Sequence, residues 1–255
     1  MTNRQTVLIA GATGNIGGGG AFALAKRGAH VVLLGRKPDT LEARADAIRA
    51  ELSDLGIDNL DTAVDTLAFD LSDMESVRRG AHEALERFPR IDTLVLSAVT
   101  LIQNGPNILP SGHELMFATN VMGPFLFTQL LLERLEQSDG LVLQVIASFN
   151  KDIDWEDLES IEDHKTGHAY NRTKTMNRAI AAELARRAGG RVSSVAFDPT
   201  FTIDKDDPEL AKRWPKGLTG LFWSGMTALF AKPPEIAGEA MADVILSGRD
   251  RQAMN

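Results

Sequence analysis

The stretch Val7-Leu8-Ile9-Ala10-Gly11-Ala12-Thr13-Gly14-Asn15-Ile16-Gly17 decides the fold of this chain. Its apolar start is typical of a buried strand, and its three glycines indicate a tight turn that leads into a helix. Glycine has no Cβ, so the backbone amides at the start of the helix can approach a phosphate group closely. The stretch therefore predicts a turn that binds the pyrophosphate of a dinucleotide. The alternative is the same turn without a ligand.

Short apolar runs like the first one recur along the chain and alternate with helical patterns. The predicted strands cover 7–10, 31–34, 63–69, 93–96, 141–146 and 192–197, and the predicted helices lie near 15–27, 39–54, 73–88, 112–137 and 168–189. Strands that are apolar on both faces lie between two layers of helices. The sequence thus predicts an α/β fold in which residues 1–255 form a single-domain, doubly wound parallel sheet (Rossmann fold) with helices on both faces. We expect the sheet to end at its sixth strand.

Composition limits the classes of partner. The chain has 255 residues and a formal net charge of -8, which argues against nucleic-acid binding and favours a small-molecule substrate. It contains no cysteine, so disulfides and thiolate metal sites are excluded. The N-terminus lacks the apolar stretch of a signal peptide, and uninterrupted apolar runs fall short of the roughly 20 residues that span a bilayer. We therefore expect a cytoplasmic protein without stable membrane insertion.

Tyr170 and Lys174 are candidates for proton transfer. They lie four positions apart in a predicted helix, so both side chains project from one face. A phenol with a pKa of about 10 is a weak acid at neutral pH, and a nearby ammonium group lowers that pKa by stabilising the phenolate. The spacing alone arises often by chance, and its meaning here depends on the glycine turn earlier in the chain.

Residues after the second and third strands also bear on the dinucleotide. Arg36 and Lys37 follow the second strand, where an NAD site usually has an acidic residue, and their charges favour the 2′-phosphate of NADP. The alternative is a solvated basic loop. Asp70, which follows the third strand and precedes Leu71, could accept a hydrogen bond from the adenine amino group, or it could be a helix N-cap or turn residue.

On these motifs the chain resembles a short-chain dehydrogenase/reductase over nearly its whole length. Segment 120–128 and the spacing of 22 residues between Ser148 and Tyr170 are most similar to the branch of retinol dehydrogenases and protochlorophyllide reductases. The resemblance implies an NADP-dependent oxidoreductase that interconverts a carbonyl and an alcohol.

The resemblance also implies residue roles. Tyr170 would be the general acid/base, Ser148 would polarise the substrate oxygen, Lys174 would bind the nicotinamide ribose and lower the pKa of Tyr170, and Asn120 would order a water for proton relay. Ser148 could instead satisfy a strand end, and Asn120 could mark a structural kink, because Pro124 prevents the helical bond to its carbonyl. The implied cofactor-binding residues are Gly11, Thr13, Gly14, Asn15, Ile16, Gly17, Arg36, Lys37, Asp70, Leu71, Ser97, Ala98, Tyr170, Lys174, Pro199 and Thr202.

The chain departs from the family pattern after its fourth and sixth strands. The family's Asn-Asn-Ala-Gly is replaced by Ser97-Ala98-Val99-Thr100, and its Pro-Gly by Pro199-Thr200. We expect backbone groups of Ser97 and Ala98 to reach the ribose still. The rival hypothesis is a non-catalytic NADP-binding sensor or regulator, and a third is epimerisation or dehydration on the same scaffold.

Several other segments carry weaker signals. Residues 200–233 occupy the position of a substrate lid, and their apolar side chains favour a hydrophobic substrate, although a subunit contact or a membrane-surface contact is an equal alternative. The acidic run at 152–164 indicates a solvated insertion rather than a metal site. Gly18, Gly19 and Gly20 suggest close packing of the first helix on its strand or on the cofactor.

Helices 112–137 and 168–189 are apolar enough to predict a homodimer or homotetramer.

Overall fold

Six parallel strands form the centre of the protein. The computed structural model describes residues 4–57, 63–101, 105–147, 151–200, 202 and 232–252. In this part the strands form one sheet in the order β3-β2-β1-β4-β5-β6. They are β1 (Thr6–Ala10), β2 (His30–Gly35), β3 (Val64–Ala68), β4 (Thr93–Leu96), β5 (Leu141–Val145) and β6 (Ser193–Phe197). The predicted doubly wound parallel sheet is confirmed.

Helices cover both faces of the sheet. They are α1 (Asn15–Lys26), α2 (Pro38–Asp54), α3 (Met74–Arg87), α4 (Leu115–Phe117), α5 (Gly123–Glu136), α6 (Thr166–Ala188) and α7 (Pro234–Gln252). Successive residues of β1 point to opposite faces, so Val7 and Ile9 join one apolar core and Leu8 and Ala10 join the other. The first core contains side chains of α1, α2 and α7, and the second contains those of α3, α5 and the end of α6. Burial on both faces explains why these strands are continuously apolar.

The topology places a crevice beside β1. The chain runs outward from β1 to β3 and then returns to place β4 on the other side of β1. The loops after β1 and β4 therefore diverge, and ligands bind at this point in doubly wound sheets.

The predicted helix at 112–137 is not continuous. It consists of α4, a π-helical turn at Ala118–Met122, and α5, which begins with Gly123 and Pro124. The proline ring removes one backbone donor, and the wider π turn accommodates that loss. Short π-helical segments are frequent at functional sites.

Among the residues that the structure describes, one helical stretch meets the length and composition criteria for a membrane span. It is Leu115–Glu136, and 56% of its most apolar window is buried inside the protein. Its apolar character is not evident from uninterrupted runs because Thr119, Asn120 and Thr128 interrupt it. Phe127, Leu131 and Leu135 are fully buried in the second core, as in the core helix of a soluble protein. The absence of membrane insertion stays a prediction.

The glycines inside α1 pack differently from the sequence-based prediction. A Cβ on Gly19 would lie 2.7 Å from the carbonyl oxygen of Pro234, and one on Gly20 would lie 2.5 Å from Sδ of Met241. The absence of side chains at Gly19 and Gly20 therefore allows α7 to pack closely on α1, and it does not serve contact with the strand or the cofactor. The predicted substrate lid lies almost entirely outside the described residues.

Candidate active site

The crevice has a volume of about 210 Å³ and gathers residues from the carboxyl ends of four strands. Eight of the predicted cofactor-binding residues line it: Gly11, Thr13, Gly14, Arg36, Asp70, Leu71, Ser97 and Ala98. Leu34, Phe69 and Thr119 also contribute to the lining, and the sequence did not single them out. The other predicted cofactor-binding residues are not among the lining residues.

The glycine turn forms a cradle whose shape depends on absent side chains. Gly11 has φ +81°, and a Cβ on it would lie 2.5 Å from the backbone nitrogen of Ala98. A Cβ on Gly17 would lie 2.5 Å from Oγ of Ser97. Gly14 is the N-cap of α1 and gives no side-chain hydrogen bond to the first-turn amides. A pyrophosphate fits this cradle, because it would accept hydrogen bonds from amides that the N-cap leaves uncapped.

Asn15 and Ile16 can contribute to the cradle through their backbone. Both belong to the first turn of α1, and Ile16 packs partly buried against the first core. Their backbone amides, not their side chains, are the groups that the helix start can offer to a phosphate.

Three cations lie close to this end of the sheet. Arg36 and Lys37 are exposed just after β2, and Arg36 lines the crevice. Arg44, which the sequence did not single out, reaches from α2 to α1: a Cβ on Gly18 would lie 3.0 Å from its Nη2. Within the described ranges none of the three has an ion pair, although a positive charge near a helix N-terminus is electrostatically unfavourable. An anionic ligand would relieve that repulsion.

Asp70 has the turn role that was one of its two predicted alternatives. Its Oδ1 accepts hydrogen bonds of 2.8 Å from both the backbone nitrogen and Oγ of Ser72. The N-cap of α3 is Asp73. Asp70 and Leu71 still line the crevice, so the predicted adenine contact stays a prediction.

Ser97 is more constrained than predicted. Its backbone nitrogen and its Oγ both donate to the carbonyl of Ala10, at 3.0 Å and 2.6 Å. The backbone amide of Ser97 is therefore committed to the sheet, which leaves Ala98 as the better candidate for a backbone contact with the ribose.

Tyr170 and Lys174 lie on one face of α6, as predicted. Nζ of Lys174 is 5.7 Å from the centre of the Tyr170 ring and donates a 3.0 Å hydrogen bond to the carbonyl of Val145 at the end of β5. Burial lowers the pKa of Lys174 from 10.5 to about 8. Burial, followed by the charge of Asp198, raises the pKa of Tyr170. The pKa of Tyr170 thus moves opposite to the predicted direction, because burial and the negative charge of Asp198 both disfavour the phenolate.

Asn120 is the centre of a buried polar network. Its Oδ1 accepts from the backbone nitrogen of Thr100 at 2.7 Å, and its Nδ2 donates to the carbonyl of Thr100 at 3.0 Å. The same Nδ2 lies 3.4 Å from Oγ1 of Thr173 on α6. Its backbone carbonyl accepts a 3.0 Å hydrogen bond from Nδ2 of Asn177, and the water that Asn120 is predicted to order stays a prediction. Pro124 frees this carbonyl from the helical ladder as expected, and a side chain occupies it.

The remaining predicted positions lie around the end of β6 or outside the described residues. Ser148 lies outside them. Thr200 has φ +60°, so it adopts the left-handed conformation that the family's glycine would favour, and its nitrogen bonds to Oδ1 of Asp198 at 2.9 Å. Thr202 Oγ1 donates to the carbonyl of Pro199 at 2.8 Å. The glycine-like turn is therefore kept despite the substitution.

The acidic run at 152–164 uses its carboxylates as turn caps. Asp157 accepts from the backbone nitrogens of Ile161, Glu162 and Asp163. Glu159 accepts from Nδ1 of His113 at 2.9 Å. The described residues contain no group of three or more His, Asp or Glu arranged for a metal ion.

Comparison with known proteins adds to this geometry. The model of the short chain dehydrogenase family matches residues 5–155. Retinol dehydrogenase 14 of Mus musculus is 33% identical over 196 residues, which cover 74% of this chain and 58% of that protein. Retinol dehydrogenase 13 of Homo sapiens is 30% identical over 246 residues, 92% of this chain and 70% of that protein. The alignment thus spans less than two thirds of the mouse protein.

Solved structures share the fold at lower identity. L-sorbose reductase from Gluconobacter frateurii, complexed with NADPH and L-sorbose, superposes with a TM-score of 0.72 at 19% identity, over 94% of this chain and 89% of that chain. A metagenomic short-chain oxidoreductase in complex with NADP gives a TM-score of 0.67, also at 19% identity, over 94% and 90% of the two chains. These similarities support the fold alone.

Proposed function

This chain belongs to the short-chain dehydrogenase family, in the branch of the retinol dehydrogenases, and from that membership we propose that it is an NADP-dependent oxidoreductase that interconverts a carbonyl and an alcohol. The observation that carries the proposal is the placement of Tyr170 and Lys174 beside β5, next to the π-helical turn whose Thr119 lines the dinucleotide crevice.

The positions of the described residues support a role for each of them, and the role of Ser148 rests on the family membership. The cradle at Gly11 and Gly14 would hold the pyrophosphate, and the bound nicotinamide would supply or accept the hydride. Tyr170 gives a proton to the substrate oxygen during reduction and removes it during oxidation. Ser148 is proposed to hold that oxygen. The raised pKa of Tyr170 keeps the phenol protonated at neutral pH, which suits reduction in the free enzyme.

A preference for NADP over NAD is supported by the charges near the crevice. Arg36, Lys37 and Arg44 are cations beside a helix N-terminus, without an ion pair in the described part of the chain, in a protein of net charge -8. A 2′-phosphate would supply the missing negative charge through charge-assisted hydrogen bonds.

The proposed substrate is a hydrophobic small molecule. Two relatives are named as retinol dehydrogenases, and retinol is an apolar alcohol. Val99 and Leu101, which follow β4 beside the crevice, each leave 49% of their surface exposed and could contact such a molecule. The proposal includes a homodimer or homotetramer in the cytoplasm; Phe125 on α5, 46% exposed, is an apolar side chain available to a subunit contact.

A non-catalytic NADP-binding sensor is the alternative. The commitment of the Ser97 amide to the sheet favours it, because this changes the ribose side of the cofactor site. The buried Lys174 disfavours it, because a sensor has no need of an ammonium group placed in the core beside a phenol.

The test is turnover by Tyr170→Phe. We expect the native protein to oxidise NADPH with a panel of retinal-like aldehydes, ketones and quinones, and the variant to lose about 100-fold or more in kcat. Binding of NADPH, followed by its fluorescence, should change little, because the phenylalanine keeps the ring.

Phe125→Tyr is the control, since it adds one phenolic hydroxyl group at an exposed position on α5 and leaves the pair on α6 unchanged. Turnover that survives Tyr170→Phe undiminished would refute the assignment of Tyr170. NADPH binding without turnover on the whole panel would favour the sensor.

A further inference from the structure

Asn177 lies on the same face of α6 as the proton-transfer pair, three residues after Lys174 and seven after Tyr170. It is 5% exposed. Its Nδ2 donates to the carbonyl of Asn120 at 3.0 Å, across the boundary between α6 and the π-helical turn. The sequence alone indicated no role for it.

The bond closes a chain of contacts between the crevice and α6. Asn120 holds both backbone groups of Thr100, and Thr100 and Thr119 line the crevice. Asn177 then connects the backbone of Asn120 to the helix that carries Tyr170 and Lys174. The distance from the crevice wall to the phenol is thereby fixed by hydrogen bonds in addition to apolar packing.

Stability alone does not explain an asparagine here. Oδ1 of Asn177 is buried and has no hydrogen-bond partner among the described residues. An unsatisfied buried acceptor is destabilising, so the amide of Asn177 satisfies the Asn120 carbonyl only while leaving its own Oδ1 unpaired. Violations of such packing rules in native proteins are expected mainly at functional sites. The group of Asn177 that makes a contact here is its Nδ2 donor, which binds the Asn120 carbonyl.

We propose that Asn177 is a positioning residue for catalysis, which holds the π-helical turn to α6 and so sets Tyr170 against the ligand in the crevice. This inference rests on the proposed function and deepens it. Misplacement of a reacting group by about 1 Å can lower a rate 100-fold, so a single bond of this kind can control turnover.

The first test replaces Asn177 with leucine, which has a similar shape and no donor. We expect kcat to fall about 10- to 100-fold while the Kd for NADPH changes less than about threefold, because the cofactor contacts lie elsewhere. Thermal stability should change little, because leucine removes the unpaired Oδ1 of Asn177 but leaves the Asn120 carbonyl without its donor. Met176→Leu is the matched control, since Met176 is a buried neighbour on the same helix without a side-chain role in this network; it should keep kcat.

The second test replaces Asn177 with aspartate, which is isosteric. A protonated carboxyl group can donate to the Asn120 carbonyl, whereas a carboxylate repels it, and burial raises the pKa of such a group. We expect the ratio of variant to native kcat to rise as the pH falls from about 8 to about 6. Tyr170 and Lys174 are the titratable neighbours on α6, and Asp198 faces Tyr170. Dividing the kcat of the variant by that of the native protein at each pH removes the effect that the titration of these groups has on both proteins.

A third readout is independent of activity. Hydrogen exchange of a peptide that covers the π-helical turn should be faster in Asn177→Leu than in the native protein and unchanged in Met176→Leu. Native-like kcat in Asn177→Leu, a ratio for Asn177→Asp that is flat with pH, or unchanged exchange would each overturn the inference. If the native protein shows no turnover that depends on Tyr170, the proposed function fails by itself, and hydrogen exchange still decides whether Asn177 holds the turn.

Discussion

At the scale of single residues, Lys174 shows how the candidate site opposes stability. Its side chain is 4% exposed, and burial lowers its pKa from 10.5 to about 8. At pH 7 the unfolded chain and the folded chain both carry the charge, but only the folded chain has to bury it. The shift from 10.5 to about 8 corresponds to a penalty of about 3 kcal/mol at pH 7.

We therefore expect Lys174→Met to abolish turnover without destabilising the protein. Removing the buried charge should raise the free energy of unfolding at pH 7, and the loss of the bond to the Val145 carbonyl should offset part of that gain, which leaves about 1–2 kcal/mol. Between pH 8 and 10.5 the unfolded chain binds more protons than the folded one, so native stability rises with pH there. Urea denaturation should show that the variant's advantage at pH 7 is lost by pH 9.5, because the burial penalty of the native amine falls by about 2 kcal/mol over this range.

Lys165→Met is the control for that experiment. Lys165 precedes α6, is exposed and pairs with Asp163, so its removal should not give a pH-dependent difference in unfolding free energy. A Lys174→Met variant that is less stable than the native protein at pH 7 would show that the amine contributes more through its hydrogen bond than it loses through burial.

The sequence predicted part of this residue-scale arrangement. Spacing by four placed Tyr170 and Lys174 on one helix face, because that rule depends only on helical geometry. It could not predict the direction of the pKa of Tyr170, since desolvation depends on which other elements cover the helix. Asn177 was open to the same spacing rule, but its partner lies 57 residues earlier in the chain and only the fold brings the two together.

At the scale of elements, the crossing of α1 and α7 depends on glycine in both helices. Gly19 contacts the region of Pro234 and Gly238, and a Cβ on Gly238 would collide with the backbone of Gly19. Arg27 on the loop after α1 pairs with Glu239 and Asp243 of α7 and fixes the same orientation. Since backbone cannot move aside as a flexible side chain can, this crossing tolerates no side chain at its centre.

Gly238→Ala should therefore destabilise the protein even though alanine is the better helix former. Forced separation of the helices costs about 1–3 kcal/mol, which exceeds the gain of about 1 kcal/mol in helix propensity. Gly167→Ala is the matched control, because Gly167 lies in α6 and a Cβ added to it would meet nothing within 4 Å, so this change should be neutral or stabilising. Chemical denaturation of both variants measures the difference. Equal stability of the two would show that α7 can shift to admit a methyl group.

The element-scale predictions from sequence were accurate where local pattern was sufficient. The apolar runs located all six strands of the described sheet, because burial on both faces leaves a continuous apolar signal. The partner of Gly19 and Gly20 was predicted wrongly, since nothing near residues 18–20 encodes the arrival of a helix more than 200 residues later, whereas Gly18 lies against the carbonyl of Ala12 just after β1. The break in helix 112–137 was foreseen at Pro124, but its π-helical form was not.

At the scale of the whole molecule, the crevice joins the two halves of the sheet. Its lining comes from the ends of β1, β2 and β3 on one side and from the loop after β4 on the other. A dinucleotide held there would contact both halves, so its binding free energy would add to the stability of the entire fold. The net charge of -8 opposes an anionic ligand at long range, and the nearby cations Arg36, Lys37 and Arg44 must overcome this locally.

We therefore expect NADPH to raise the Tm of the native protein more than NADH does at equal concentration. A ligand at 100 times its Kd adds about 2.7 kcal/mol of stability, and contacts of the 2′-phosphate with these cations would lower the Kd of NADPH. Arg36→Ala and Arg44→Ala should each reduce the NADPH shift and leave the NADH shift unchanged, since only NADPH carries the 2′-phosphate. Arg78→Ala is the charge-matched control and should alter neither shift, because the Arg78 side chain is exposed on α3 and pairs with Glu75. Differential scanning fluorimetry at low and high salt measures all of these, and the NADPH advantage should shrink as salt screens it. Equal losses with both cofactors would assign the arginines to the pyrophosphate, and the preference for NADP would then have no basis in these cations.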